Sequence, residues 1–119
     1  MTSEKDIPQL IVEGIHERKG RGVTIVDMTA IDTAATSRFI IAEGTSTTQT
    51  ASIADSVEEY VRVNGGVKPM AVDGAEAGDW VIMDYGDTWV HIFLPEVRHR
   101  YNLEDLWSDA VITHVPDLD

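Results

Sequence analysis

The stretch that decides the fold is WVIMDYGDTWVHIFLP, residues 80–95. Two apolar runs flank Gly86-Asp87, a pair that supplies the positive φ of a two-residue turn between antiparallel strands. The sequence therefore predicts a β-hairpin, which Pro95 ends. Pairing across the turn gives four opposed pairs: Tyr85 with Thr88, Asp84 with Trp89, Ile82 with His91, and Trp80 with Phe93.

The two faces of this hairpin differ in composition, because opposed residues share a face. One face is almost wholly apolar and is expected to lie against helices: Val81, Met83, Tyr85, Val90, Ile92 and Leu94. The other mixes aromatic and polar groups: Trp80, Ile82, Asp84, Trp89, His91 and Phe93. Such a mixture is typical of protein-binding hot spots, with Trp80, Asp84, Trp89 and His91 as the exposed candidates. The alternative is that helices cover both faces.

The segments around the hairpin predict alternating helices and strands. Before the hairpin we expect a helix from Asp6 to Lys19, a strand from Gly22 to Met28 and a strand from Arg38 to Thr45. A second helix follows, capped by Ser46 with Gln49 and ended by Asn64, Gly65 and Gly66. A short strand from Lys68 to Asp73 precedes the hairpin, and a short helix follows Pro95. The predicted fold is α/β (α+β): a mixed, mostly antiparallel-edged sheet of about five strands flanked by helices. Residues 1–107 are expected to form one domain, and 108–119 an acidic, partly mobile tail.

Composition limits the class of protein. The chain has 119 residues, 43% of them hydrophobic, which suits a single compact domain. Its formal net charge of -12 disfavours direct nucleic-acid binding, because phosphates repel a negative surface. Without cysteine there is no disulfide or thiolate site. No apolar run suits a signal peptide or a membrane span, so we expect a cytoplasmic protein.

Two constellations suggest chemistry, and each has a simpler explanation. Asp84, Asp87 and His91 offer metal-ligand atoms, but Asp84 and His91 are not directly opposed and turn chemistry explains Asp87. Residues 44–46, Gly-Thr-Ser, precede a helix and would present N–H groups to a phosphate, yet capping by Ser46 explains them. The sequence predicts no catalytic residue, no cofactor and no metal site.

Three segments together resemble the ribosomal silencing factor (Iojap-like) family: FIIAEGTSTTQTASIADSVEE at 39–59, DWVIMDYGDTWVHIF at 79–93 and RHRYNLEDLW at 98–107. The resemblance implies a nucleotidyltransferase-like topology without enzymatic activity. It further implies binding to ribosomal protein uL14 on the large ribosomal subunit, which blocks subunit joining and represses translation under starvation. A homodimer and a ribosome-associated cytoplasmic location are also implied.

Carried over by position, the resemblance implies a set of contact residues on and near the hairpin. They are Trp80, Ile82, Asp84, Gly86, Asp87 and His91, with Tyr101, Leu106 and Trp107 supporting the hairpin or extending the contact. Trp89 joins them from the face analysis, although a helix or a dimer contact is an alternative cover for it. The acidic charge favours a basic ribosomal protein over rRNA as partner.

Two other functions stay open from the sequence. The first is a nucleotidyltransferase in which Asp84 and Asp87 hold magnesium while residues 44–46 cradle phosphate. The second is a dimerisation or adaptor module with a different partner.

Overall fold

The computed structural model describes residues 6–31, 34, 36–106 and 109–118, and of residues 104 and 106 the backbone alone. Its elements are α1 (Ile7–Glu17), β1 (Arg21–Asp27), β2 (Arg38–Glu43), α2 (Thr47–Gly65), β3 (Ala71–Asp73), β4 (Trp80–Asp84), β5 (Thr88–Phe93), α3 (Pro95–Tyr101), α4 (Leu103–Leu106) and β6 (Val111–His114). None of these helices is long and apolar enough to cross a membrane.

Across the described ranges the strands form one mixed sheet in the order β3-β4-β5-β2-β1-β6. Strands β2 and β5 pair in parallel, and every other neighbouring pair is antiparallel. The predicted mixed, mostly antiparallel sheet flanked by helices is therefore confirmed. It has six strands in place of about five.

The additional strand is β6, which the sequence did not predict. It pairs antiparallel with β1, placing Thr24 opposite His114. All four of its residues are exposed, so it lacks the alternation of buried and exposed side chains that marks a half-buried strand. Beyond it, the Asp117 carboxylate accepts hydrogen bonds from Arg21 Nη1 at 2.9 Å and from the Gly22 N–H at 3.0 Å. These bonds tie the end of the described chain to the start of β1.

Helix α2 begins and ends at the predicted signals. Ser46 Oγ accepts a hydrogen bond from the Gln49 N–H at 3.1 Å. Gln49 Oε1 accepts a hydrogen bond from the Thr45 N–H at 2.6 Å. In a usual capping box the donor would be the N–H of the N-cap residue itself, Ser46. At the other end Gly66 adopts a φ of 69°, in the left-handed region that ends many helices.

Helices α1 and α2 pack together over one face of the sheet. Their approach is close, because a Cβ on Gly14 would lie 2.9 Å from Val57 Cα, and Ser56 Oγ donates to the Gly14 carbonyl at 2.8 Å. Side chains from both helices and the central strands form the helix-side core: Leu10, Ile11, Ile15, Val23, Ile40, Ala42, Ile53, Ala54, Val57, Val61, Val81, Met83, Tyr85, Val90 and Ile92.

A second core lies on the opposite face of the sheet. Its buried members are Val26, Met28, Phe39, Ile41, Phe93 and Val97, the last contributed by α3. Leu94 and Leu103 pack at its margin. The central strands β2 and β5 are consequently buried on both faces, whereas β4 is fully buried only on the helix side.

The hairpin of β4 and β5 has the predicted register. Trp80 pairs with Phe93, Ile82 with His91 and Asp84 with Trp89. Of the two turn residues only Gly86 has a positive φ, 91°, which is the φ pattern of a type II′ turn.

The apolar face of the hairpin lies in the helix-side core as predicted, with one correction. Val81, Met83, Tyr85, Val90 and Ile92 are all buried there. Leu94 instead packs against the second core, because it lies beyond the end of β5, at the N-cap position of α3.

Candidate partner-binding surface

Four predicted contact residues share an open part of the sheet: Trp80, Ile82, Asp84 and Trp89, which we call the hairpin patch. Each is half-buried and lies on the face opposite α1 and α2. Next to them, β3 adds the exposed Ala71 and Asp73, which pair with Asp84 and Ile82. This part of the sheet face is therefore accessible to a partner.

His91 and Phe93 depart from the predicted exposed face. The side chain of His91 is only 3% exposed and that of Phe93 1%. The second core covers them, because β5 is a central strand and α3 folds back over its end. The alternative of two covered faces is thus correct for this part of β5, and the expectation that His91 is exposed is wrong.

The aromatic rings around Trp80 form a continuous cluster. Its ring centroid lies 5.0 Å from that of Phe93 and 4.7 Å from that of Tyr101. The indole Nε1 donates a hydrogen bond to His91 Nδ1 at 3.1 Å. Contacts on several sides fix the orientation of Trp80 while leaving part of its ring at the surface.

Phe39 joins the second tryptophan of the patch to the same cluster. Its ring stacks on Trp89 at a centroid distance of 6.1 Å and an interplanar angle of 19°. It also meets His91 edge to face at 4.5 Å. Trp89 is therefore supported from within the sheet face and stays half-buried.

The imidazole of His91 is neutral in the folded protein at ordinary pH. Burial lowers the pKa of His91 from 6.5 to about 4. Since Nδ1 accepts the bond from Trp80, the ring proton lies on Nε2. Among the residues that the structure describes, this Nε2 has no hydrogen-bond partner although it is buried.

The turn at Gly86-Asp87 is held by its neighbours. Asp84 Oδ1 accepts from the Gly86 N–H at 2.7 Å, and Thr36 Oγ1 donates to the Gly86 carbonyl at 3.0 Å. The Asp87 carbonyl accepts from the N–H groups of residues 37 and 38, both at 3.2 Å. Gly86 is half-buried and the Asp87 side chain is exposed, so Asp87 lies at the rim of the hairpin patch.

Acidic and histidine side chains do not gather into a metal site in the described part of the chain, where no group of three or more could hold an ion. The residues proposed for a nucleotide site also lie apart. Gly44 donates to the Phe93 carbonyl at the far end of β5, while Asp84 and Asp87 flank its beginning. The two ends of β5 are five residues apart, a distance of roughly 16 Å along the strand.

Tyr101 alone among the predicted supporting residues has a described side chain. It is 48% exposed and its ring contacts that of Trp80 at an interplanar angle of 41°, which extends the hairpin patch onto α3. The side chain of Leu106 and all of Trp107 lie outside the described residues, so their predicted roles stay predictions.

Sequence reasoning missed two features beside these residues. Met70 is 70% exposed and borders the turn, where its Cε would lie 3.3 Å from a Cβ on Gly86. Arg98 on α3 donates to Glu43 Oε2 at 3.0 Å and to Thr24 Oγ1 at 2.9 Å, beside an open cavity of about 910 Å³. Nothing local marks either residue, because each depends on which strands become neighbours.

The chain resembles known proteins over nearly its whole length. Residues 2–119 match the family described as "Ribosomal silencing factor during starvation". A Chromobacterium violaceum protein named ribosomal silencing factor RsfS is 35% identical over 104 residues, 87% of this chain and 84% of that one. A mouse protein named mitochondrial assembly of ribosomal large subunit protein 1 is 29% identical, over 83% of this chain and 44% of its own length. A crystal structure of a C. violaceum protein superposes with a TM-score of 0.82 at 34% identity, covering 90% of this chain and 88% of that chain.

Proposed function

Because this chain belongs to the ribosomal silencing factor family, we propose that it binds ribosomal protein uL14 on the large ribosomal subunit and sterically blocks joining of the small subunit. Translation is thereby repressed under starvation or in stationary phase. No bond is made or broken, so the protein acts by occupancy and is not an enzyme.

The observation that carries this proposal is the hairpin patch. Trp80 and Trp89 are half-buried, supported from below by Phe39 and Phe93, and bordered by the carboxylate of Asp84. Tryptophan and tyrosine dominate binding hot spots because they offer a large rigid area together with a hydrogen-bond donor. Fixed rings at an open sheet face therefore suit protein recognition.

The charge of the chain supports a protein partner over rRNA. With 21 acidic and 9 basic residues, its net charge of -12 opposes close approach to phosphates. A basic ribosomal protein would instead attract it, which speeds encounter.

We extend the proposal to a homodimer in the cytoplasm with little direct nucleic-acid contact.

The enzymatic alternative finds little support in the geometry. Magnesium-dependent phosphoryl chemistry needs carboxylates and a phosphate cradle in one pocket, but residues 44–46 lie at the other end of β5 from Asp84 and Asp87. If thermal unfolding with magnesium and nucleoside triphosphates keeps its midpoint unchanged, the steric proposal is favoured. A clear rise in the midpoint would favour the nucleotidyltransferase.

Co-sedimentation with purified ribosomal subunits tests the central claim. We expect the protein to pellet with large subunits and to remain in the supernatant with small ones. Equal binding to both subunits, or binding to neither, would contradict the proposal. Crosslinking from a photoreactive residue at position 101 should then label uL14, and a different labelled protein would indicate an adaptor with another partner.

Replacement of the central anchor sharpens this test. Trp80→Ala should weaken binding to large subunits by a factor of roughly 30 or more, as loss of a hot-spot aromatic costs at least about 2 kcal/mol. Tyr60→Ala is the matched control, because Tyr60 is also a half-buried aromatic but lies on α2, on the other side of the sheet. Equal losses in the two folded variants would count against the hairpin patch.

A further inference from the structure

The buried histidine of the aromatic cluster occupies an energetically unfavourable place. His91 is 3% exposed, and its Nε2 has no partner among the described side chains and backbone groups. A buried polar group without a hydrogen bond destabilises the folded state, and an apolar side chain would avoid this cost. Packing alone therefore does not explain a histidine here.

The other ring nitrogen has a specific partner. His91 Nδ1 accepts the indole N–H of Trp80 at 3.1 Å. The two residues lie on adjacent strands, and Trp80 is the diagonal neighbour of His91, since Ile82 is the residue directly opposite it. This bond joins a fully buried ring to a ring at the surface.

The imidazole is itself held rigidly. Phe39 meets it edge to face at 4.5 Å and 70°, and Phe93 stacks beside it at 6.0 Å and 11°. A ring enclosed in this way keeps one orientation, so its acceptor nitrogen is a fixed point. The hydrogen bond to this nitrogen therefore favours one orientation of the Trp80 indole over the others.

We propose that His91 is a positioning residue: its Nδ1 holds the indole of Trp80 in the orientation that meets the partner, and His91 makes no partner contact itself. This inference rests on the proposed function. His91 is buried and does not touch the partner, but it contributes to recognition through Trp80. The benefit is preorganisation, because an anchor already held in its bound orientation loses less freedom on binding.

A double-mutant cycle on binding to purified large subunits tests the inference. His91→Leu removes the acceptor and should weaken binding roughly five-fold, the contribution of one neutral hydrogen bond. In a Trp80→Phe background, where no indole N–H exists, His91→Leu should change binding less than about two-fold. Equal losses in both backgrounds would overturn the inference, because His91 would then act through general packing.

A conservative variant separates the hydrogen bond from packing. His91→Asn places an amide oxygen near the position of Nδ1 and should restore binding to within about two-fold of the wild type, even if its thermal midpoint is lowered. His91→Asn binding as weakly as His91→Leu would also overturn the inference.

The free protein supplies an independent measurement. The indole N–H resonance of Trp80 should lie in the hydrogen-bonded range of the NMR spectrum in the wild type and in His91→Asn, and should move upfield in His91→Leu. An unmoved resonance would overturn the inference without involving ribosomes. Failure of the wild type to bind large subunits would instead overturn the proposed function, so the two failures are distinguishable.

Discussion

Tyr85 and Tyr60 place their hydroxyl groups in opposite surroundings. Tyr85 is buried in the helix-side core, and its hydroxyl has no hydrogen-bond partner within the described ranges. Tyr60 Oη donates to Glu13 Oε1 at 2.8 Å near the surface. Tyr85→Phe should therefore raise the free energy of unfolding by about 1 kcal/mol, because it removes an unsatisfied polar group.

Tyr60→Phe is the matched control for that substitution. It removes a hydroxyl that is satisfied, so it should lower the free energy of unfolding slightly or leave it unchanged. Both values come from urea unfolding followed by tryptophan fluorescence. Destabilisation by Tyr85→Phe would indicate that its hydroxyl has a partner in solution.

The burial of His91 also predicts how the stability of the protein changes in acid. Its folded pKa of about 4 lies below the ordinary value of 6.5, so the unfolded chain binds the proton more readily between these pH values. The free energy of unfolding should therefore fall as pH is lowered from about 6.5 toward 4, with a contribution from His91 of roughly 3 kcal/mol when complete.

The variant His91→Asn isolates that contribution. It has no titrating ring, so its stability should fall less steeply over the same pH range, while acidic groups titrate similarly in both proteins. Denaturant midpoints measured at half-unit pH steps would show the difference. Identical slopes for the two proteins would contradict a buried, neutral His91.

At the scale of elements, β6 is a weakly protected edge strand. Its four residues are exposed, and within the described part of the chain β1 is its one neighbour in the sheet. The Arg21–Asp117 ion pair that follows it is itself solvent-accessible, with side chains 58% and 34% exposed. Amide hydrogen exchange should therefore be much faster in β6 than in the central β5.

Asp117→Asn tests what holds this strand. Loss of the ion pair should speed exchange in β6 further while leaving the thermal midpoint of the whole protein nearly unchanged. Asp73→Asn, on the opposite edge of the sheet, should have no effect on β6. If exchange in β6 is as slow as in β5, the strand is held by contacts other than those at Asp117.

The hairpin and β6 show which elements the sequence could predict. The register of β4 and β5 follows from a two-residue turn and two apolar runs, all within residues 80–94. Strand β6 has no such local pattern, and its partner is the edge of β1, a strand more than 80 residues earlier in the chain. The sequence predicts an element whose pattern lies within its own residues, such as the hairpin. It does not predict a strand that forms only because a distant strand pairs with it, such as β6.

The same distinction explains the candidate site. Trp80, Ile82, Asp84 and Trp89 were assigned correctly to one face because strand alternation is local. The burial of His91 depends on β2 pairing with β5 and on α3 folding over the second core. One signal was present in TWVHIF itself, since a nearly continuous apolar run is typical of a central strand buried on both faces.

At the scale of the whole molecule, the net charge of -12 predicts a response to salt. Association with isolated uL14, the proposed partner, should slow as sodium chloride rises from about 50 to about 300 mM, because screening weakens attraction between opposite charges. Stopped-flow fluorescence of the tryptophans would measure the rate. A rate that is constant or increases with salt would contradict a basic partner.

A charge-reduced variant provides the control for the salt experiment. Glu58→Gln with Glu59→Gln removes two exposed charges from α2, away from the hairpin patch. It should associate more slowly at low salt and depend less on salt, while dissociating at the wild-type rate. A change in dissociation would place α2 in the contact.

The parallel pairing of β2 with β5 also sets an order of events during synthesis. Thr36, beside β2, donates a hydrogen bond to the carbonyl of Gly86, which lies 50 residues later in the chain. Thr24 is hydrogen-bonded to His114, which lies 90 residues later. A growing chain that has released α1, β1, β2 and α2 therefore still exposes one edge of β2. The face that carries Trp80 is assembled only after residues 88–93 have left the ribosomal tunnel, so a nascent chain that stops before them lacks the complete hairpin patch.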